Sequence, residues 1–187
     1  MNRSLQIFAV ILSAYLLTVL FVHFCIAPVQ SDIFSSYYHG GASLLFLPHG
    51  VRIMATWCVR AEAVLPLFLG EVIAWVIFGA TSIDSIFLSA LVGSLSVLLV
   101  FEMFKLANVN LYYGGEFQFT WRLAIVIAFV SSCLNSVGHT FALSLSIPDY
   151  NIFVEISKFV VGDVLGTFVT FLVGMHILRI VRLQKGF

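Results

Sequence analysis

"LFLPHGVRIMATW", residues 45–57, sets Pro48, His49, Gly50 and Arg52 within five positions of one another, in surroundings that are otherwise almost wholly apolar. How this stretch is read decides whether the chain passes straight through a helix here or breaks. A proline removes a backbone donor and a glycine permits bending, so a helix written across 42–60 is expected to be broken at Pro48–Gly50 or to re-enter. Carbonyls that lose their helical partners there become acceptors for His49 or Arg52.

The rest of the chain explains why such a break matters. Of 187 residues, 61% are hydrophobic and 10% charged, whereas a soluble domain carries about 25% charged residues. Mean hydropathy is +1.08. Several runs are long enough to cross roughly 30 Å of hydrocarbon, and the expected fold is an all-α polytopic transmembrane bundle, one integral membrane domain over 1–187. Six spans are expected near 5–27, 42–60, 62–80, 85–106, 121–146 and 152–181. The first apolar run is too long for a signal-peptide core and lacks a small-x-small cleavage site, so it reads as a retained span.

With six spans, Arg3, Arg60, Lys105, Arg122, Arg179, Arg182 and Lys185 fall on one side, the cytoplasmic one by the positive-inside rule. The opposite loops, 28–40, 81–84 and 147–151, contain three Asp and no Lys or Arg. Both termini are therefore expected in the cytoplasm. Zero net charge gives no reason to expect nucleic acid; lipid, a membrane or cytoplasmic signalling partner and small molecules or ions are the expected partners. Cys25, Cys58 and Cys133 show no C-x-x-C spacing and read as buried thiols. No H-E-x-x-H, G-x-S-x-G or phosphate-loop motif occurs, so neither an enzyme nor a metal or cofactor is expected. His23, His49 and His139 raise a haem reading, but their spacing is not that of paired haem ligands.

A charge at mid-bilayer lies about 2.5–3.5 kcal/mol uphill, so Arg52, Glu71, Glu102, Glu155, Lys158 and Asp163 each need a partner or a wet cavity. Arg52 has three readings: it bonds the carbonyls freed by the break, it lines a site for an anion or a carboxylate, or it snorkels to the interface. Asp163 lies in "FVVGDVLGTFVTF" (159–171), whose Gly162 and Gly166 share one helix face and let another backbone approach. An Arg52–Asp163 ion pair joining spans two and six is the expected contact. In "SSCLNSVGHTFALSLS" (131–146), Ser131, Asn135 and His139 recur at i, i+4 and i+8, with Ser132, Ser136 and Thr140 alongside. This is an inward polar stripe, serving either interhelical hydrogen bonds or a ligand path, to which Glu71 and Glu102 can add protonatable groups.

Two further stretches belong with the first. "FLPHGVRIMATW", followed by "VLPLFLGEVIAW" (64–75), resembles the successive Pro–Gly segments of MASE-type bacterial membrane-associated sensor domains, and "FVVGDVLGTFVTFLVG" resembles their closing Gly-Asp-x-x-Gly helix. The resemblance implies a bacterial inner-membrane sensor or input module and singles out Pro48, Gly50, Pro66, Gly70, Gly162, Asp163 and Gly166. That family carries a cytoplasmic output domain, whereas this sequence ends at "VRLQKGF", so a separate signalling partner is expected. The functional expectation is a non-enzymatic sensor-like module binding a small ligand or ion in the bundle. A small transporter or substrate-binding membrane subunit and a structural assembly factor are the alternatives.

Overall fold

The computed structural model describes residues 2–33, 43–78, 82–144 and 152–185. Helix α1 (Arg3–Phe21) runs through a π-helical turn (Val22–Ile26) into α2 (Ala27–Ile33). Then come α3 (Leu47–Val59), a 3-10 turn (Arg60–Ala63), α4 (Val64–Phe78), α5 (Ile83–Leu106), α6 (Trp121–Ser144) and α7 (Ile152–Lys185). The fold is all-helical, with no strand among the described residues. Five helical stretches are long and apolar enough to cross a membrane: Arg3–Ile33, Leu47–Phe78, Ile83–Leu106, Trp121–Ala142 and Phe153–Ile177.

The bundle is inside-out relative to a soluble protein. Large apolar side chains such as Leu17, Val76, Phe129 and Leu172 point outward, while Ser89, Ser94, Ser131, Ser136 and Thr140 are buried. Small hydroxylic residues let helices approach and bond one another where lipid supplies no hydrophobic drive. Multi-pass contact with a bilayer follows from this distribution. Helix ends are conventional by comparison: Ser82 caps α5 by accepting from the Ser85 N–H, with Asp84 in its first turn and Lys105 in its last.

Three expectations about the spans are corrected. The first helical stretch runs to Ile33 rather than 27, absorbing part of the expected 28–40 loop. Pro28 cannot donate to the carbonyl four residues before it, and the π turn immediately upstream accommodates that defect. Second, no helix 42–60 broken at Pro48–Gly50 forms. Helix α3 starts at Leu47, with Pro48 in its first turn, where a missing N–H has no helical partner to lose, and with Gly50 inside the helix against Thr170. Third, the helices expected at 42–60 and 62–80 form one stretch by length and hydropathy, but not a straight one. Arg52 and Glu71, 19 residues apart, are hydrogen-bonded, whereas a straight α-helix would hold them about 28 Å apart. The chain reverses at Arg60, whose φ of 56° is left-handed. Helix α1 lies between the two arms, packing Ile11, Tyr15 and Val19 against Ala55, Ala63 and Leu67. The expected 85–106, 121–146 and 152–181 helices are present as α5, α6 and α7; residues 34–42, 79–81 and 145–151, with the loop positions expected there, lie outside the described residues.

Residues 43–46 are non-helical, and their exposed backbone groups are met one by one. The Leu44 N–H donates to Gln30 Oε1 (3.1 Å), that of Leu45 to Ser43 Oγ (3.3 Å) and that of Phe46 to the Gly162 carbonyl (2.9 Å). The Thr170 hydroxyl donates to the Leu47 carbonyl at 3.1 Å. Irregular backbone at membrane depth survives only when enclosed and satisfied in this way. Gly162 and Gly166 make it possible, because a Cβ on either would collide with the carbonyls of Ser43 and Phe46 respectively. The close approach expected from G-x-x-x-G is therefore present, with segment 43–46 as the approaching backbone.

At the other end, the 107–120 loop is pinned. The Tyr113 N–H donates to the Trp57 carbonyl (3.0 Å), Arg60 stacks over the Tyr112 ring (5.0 Å) and the Tyr112 hydroxyl donates to Glu102 (2.7 Å). Burial, reinforced by the Glu102 carboxylate, pushes the Tyr112 phenol up, so it stays a donor. Below it Ile53, Val97, Phe101, Leu111 and Ile127 form an apolar cluster.

Substituting Gly162→Ala or Gly166→Ala forces backbone apart and is expected to cost about 1–3 kcal/mol. Gly174→Ala meets nothing nearer than 3.8 Å and is the matched control, expected to change stability by less than about 0.5 kcal/mol. Unfolding of the detergent-purified variants checks this; equal losses at all three positions would contradict it.

Candidate functional site

Arg52 sits on α3 with no solvent exposure at all. Its Nη2 bonds Glu71 Oε2, on the returning arm α4, and donates to the Tyr15 hydroxyl of α1 at 3.0 Å. Tyr15 in turn donates to Glu71 Oε2 at 2.8 Å, closing a three-membered ring of donors and acceptors. The rings of Tyr15 and Phe46 each lie 5.5 Å from the guanidinium carbon. On the far side of Glu71, His139 Nε2 of α6 stands 3.4 Å from Oε1. The carboxylate rests on Gly93 of α5, where a Cβ would come within 2.6 Å of it, and Gly70 gives the Tyr15 ring the same kind of room.

A second carboxylate lies beside this group. Asp163 Oδ2 accepts from Ser132 Oγ and from Asn135 Nδ2, both at 3.0 Å, and His49 Nδ1 is 3.5 Å from the same oxygen. The other His49 nitrogen, Nε2, is 3.0 Å from Ser131 Oγ. Asn135 bridges the two halves, receiving Arg52 Nη1 on its carbonyl oxygen at 3.5 Å while giving its amide to Asp163. Side chains from α1, α3, α4, α6 and α7 thus form one buried network.

The expected Arg52–Asp163 pair is corrected by this geometry: Arg52 pairs with Glu71. The fold-back at Arg60 brings Glu71 directly opposite Arg52, and Asn135 separates the guanidinium from Asp163. His49, Asn135, His139, Glu71 and Asp163 are all brought together as candidates. Three charged residues are not. Glu102 is half-exposed and held by Tyr112 and Lys105, and Lys158 pairs with Glu155 one helical turn away at 2.7 Å. Pro66 is buried in the first turn of α4, with no polar role. His23 stacks on Phe78 with centroids 4.0 Å apart. The expectation of buried thiols is corrected: Cys25 and Cys58 are exposed and Cys133 is half-buried, on a bundle whose outer surface is itself apolar. No group of three metal-ligating side chains occurs among the described residues.

Reading the sequence missed Tyr15, Gln30, Ser43 and Gly93. Tyr15 and Gln30 each carried a usable signal: a lone phenol in the middle of "ILSAYLLT" and an amide in what looked like a loop. Several buried atoms around the network have no partner, among them His49 Nδ1, His139 Nδ1, Asp163 Oδ1, Ser136 Oγ and Thr140 Oγ1. The arrangement holds charge away from bulk solvent and has spare proton-binding capacity. A separate groove of about 320 Å³ between α6 and α7, lined by Trp121, Ile125, Phe168 and Leu172, is apolar and lacks such groups.

Removing one member of a buried pair strands the other, at about 3–5 kcal/mol, whereas replacing both by apolar residues is often neutral. Arg52→Met and Glu71→Leu are each expected to lose stability in that range, and the double variant to regain most of it. A double-mutant cycle by unfolding in detergent measures this; additive losses would show that the two residues act independently. Comparison with protein-family models, curated proteins and solved structures gives no match for this chain.

Proposed function

We propose that this chain is a non-enzymatic, sensor-like module of the bacterial inner membrane, which binds a small ligand or ion at the Arg52–Glu71–Asp163 network and passes the change to a partner protein. The observation carrying this reading is the network itself: one guanidinium, two carboxylates and two imidazoles from four helices, joined by Tyr15 from a fifth, beside non-helical backbone. Any ligand that alters the charge balance there has differential contacts with more than one helix arrangement, which a switch requires. The likeness of 45–57, 64–75 and 159–174 to MASE-type sensor domains points the same way.

The topology we propose has six crossings. Helix α3 is 13 residues, about 20 Å, and we take it together with the bent segment 43–46 before it as one crossing of roughly 30 Å. Helix α4 returns as the next. Arg60, Lys105 and Arg122 gather around the 107–120 loop, and this end is assigned to the cytoplasm, with both termini. The partner is assigned to the same end, where Tyr113 and Phe117 stand exposed.

Segment 43–46 favours a second reading, a small transporter or substrate-binding subunit, since unwound backbone beside a charged pair is how carriers build sites. Thermal stability across an ion and small-molecule library separates these readings from a purely structural role. A ligand-dependent rise in wild type that Asp163→Asn loses is expected. No rise with any compound would leave an assembly role, and uptake into vesicles abolished by the same variant would favour the transporter.

A further inference from the structure

The contacts around His49 favour one placement of its proton. The Ser131 hydroxyl lies 2.7 Å from the Ile127 carbonyl and 3.3 Å from that of Ala128, and when it donates to either, its oxygen accepts from His49 Nε2 at 3.0 Å. In that arrangement His49 Nε2 carries a proton. In a neutral imidazole that leaves Nδ1 as a bare acceptor, and it faces a carboxylate oxygen 3.5 Å away. A proton bound by the pair, on His49 as an imidazolium or on Asp163 as a carboxylic acid, would give this approach the hydrogen bond it lacks. Charge accounting agrees, since Arg52 and Glu71 neutralise each other and leave Asp163 without a cation unless the extra proton is present.

Buried hydroxyls lead away from the site toward both ends of the bundle. Helices α6 and α7 run antiparallel, with Ser132 against Phe159 and Asp163 and with His139 stacked on Phe159 at 5.7 Å. That register carries Ser136 and then Thr140 along α7 toward Glu155, itself 8% exposed and paired with Lys158. The Ser136 and Thr140 hydroxyls are buried and unpartnered. Toward the Arg60 end the Thr56 and Thr167 hydroxyls are likewise buried and unpartnered, and the other neighbours are the apolar Ile53, Val97, Phe101, Leu111 and Ile127.

We propose that the His49–Asp163 pair is a proton-binding site, loaded from the Glu155 end along the Ser132–Ser136–Thr140 hydroxyl row. This rests on the sensor reading and names its ion. The groups that set its occupancy are Tyr15 of α1, Arg52 of α3, Glu71 of α4 and His139 of α6, while α5 meets the network through the uncharged Gly93. Acidification loads the pair. As pH rises the proton leaves to bulk by the same row, stranding a buried carboxylate and loosening the α3–α6–α7 contact.

The test is infrared titration of Asp-labelled protein in phospholipid nanodiscs over about pH 4 to 9, spanning the ordinary carboxyl and imidazole ranges. One proton is expected to titrate in wild type and to be missing in Asp163→Asn. His49→Gln moves the bound proton onto the acid, so a protonated-carboxyl band appears and is abolished by adding Asp163→Asn. After a pH jump, Ser136→Ala/Thr140→Val slows the response by about tenfold or more, while Thr56→Val, at the opposite end, does not. Circular dichroism verifies that each variant is folded. Absence of titration in wild type, or equal rates in all variants, overturns the proposal. Stabilisation by some other ligand at fixed pH, without titration, would remove the proton site and leave the sensor reading standing.

Discussion

A guanidinium that is wholly buried where lipid surrounds the bundle has to be neutralised at contact distance, and the Arg52–Glu71 bond does this. Much of the architecture follows from it. For the two to meet, 19 residues of apolar chain must double back, and the left-handed Arg60 and the 3-10 turn after it make the reversal. The arms splay around α1, whose Tyr15 hydroxyl accepts from Arg52 and donates to Glu71. Glu71 then needs a flat place to rest, and Gly93 supplies it on α5.

A second constraint is that backbone cannot go unsatisfied at this depth. The late start of α3 leaves residues 43–46 non-helical, and α7 accommodates them with glycines at 162 and 166 and a hydroxyl at Thr170. These same turns of α7 carry Asp163, so the residues that make room for the bent segment also fix the second carboxylate against His49. Packing and charge are thereby coupled: a change at Asp163 bears directly on the contact that holds α3 to α7.

The sequence made the membrane class and the approximate positions of the later helices legible, because length and apolarity are local properties. It also made Gly162–Gly166 legible as a place of close approach, and His49, Arg52, Asn135, His139 and Asp163 as inward polar residues, since lipid rejects them wherever the helix turns. Which charge meets which was not legible. Partner choice depends on where the chain reverses, and nothing in "CVRAEAVLP" (58–66) announces that Arg60 adopts a left-handed conformation. Pro48 misled for a related reason: proline ends a helix or begins one, and the choice lies in the tertiary support of residues 43–46, supplied by Gln30 and α7 from distant parts of the chain.

The most direct test of the central contact is a solid-state NMR distance measurement in lipid bilayers between the labelled Arg52 guanidinium and the labelled side-chain carboxyl carbons of Glu71 and Asp163. Direct contact with Glu71 is predicted, with Asp163 reached only across Asn135. A guanidinium found in direct contact with Asp163, or hydrated at the membrane surface, would contradict the account.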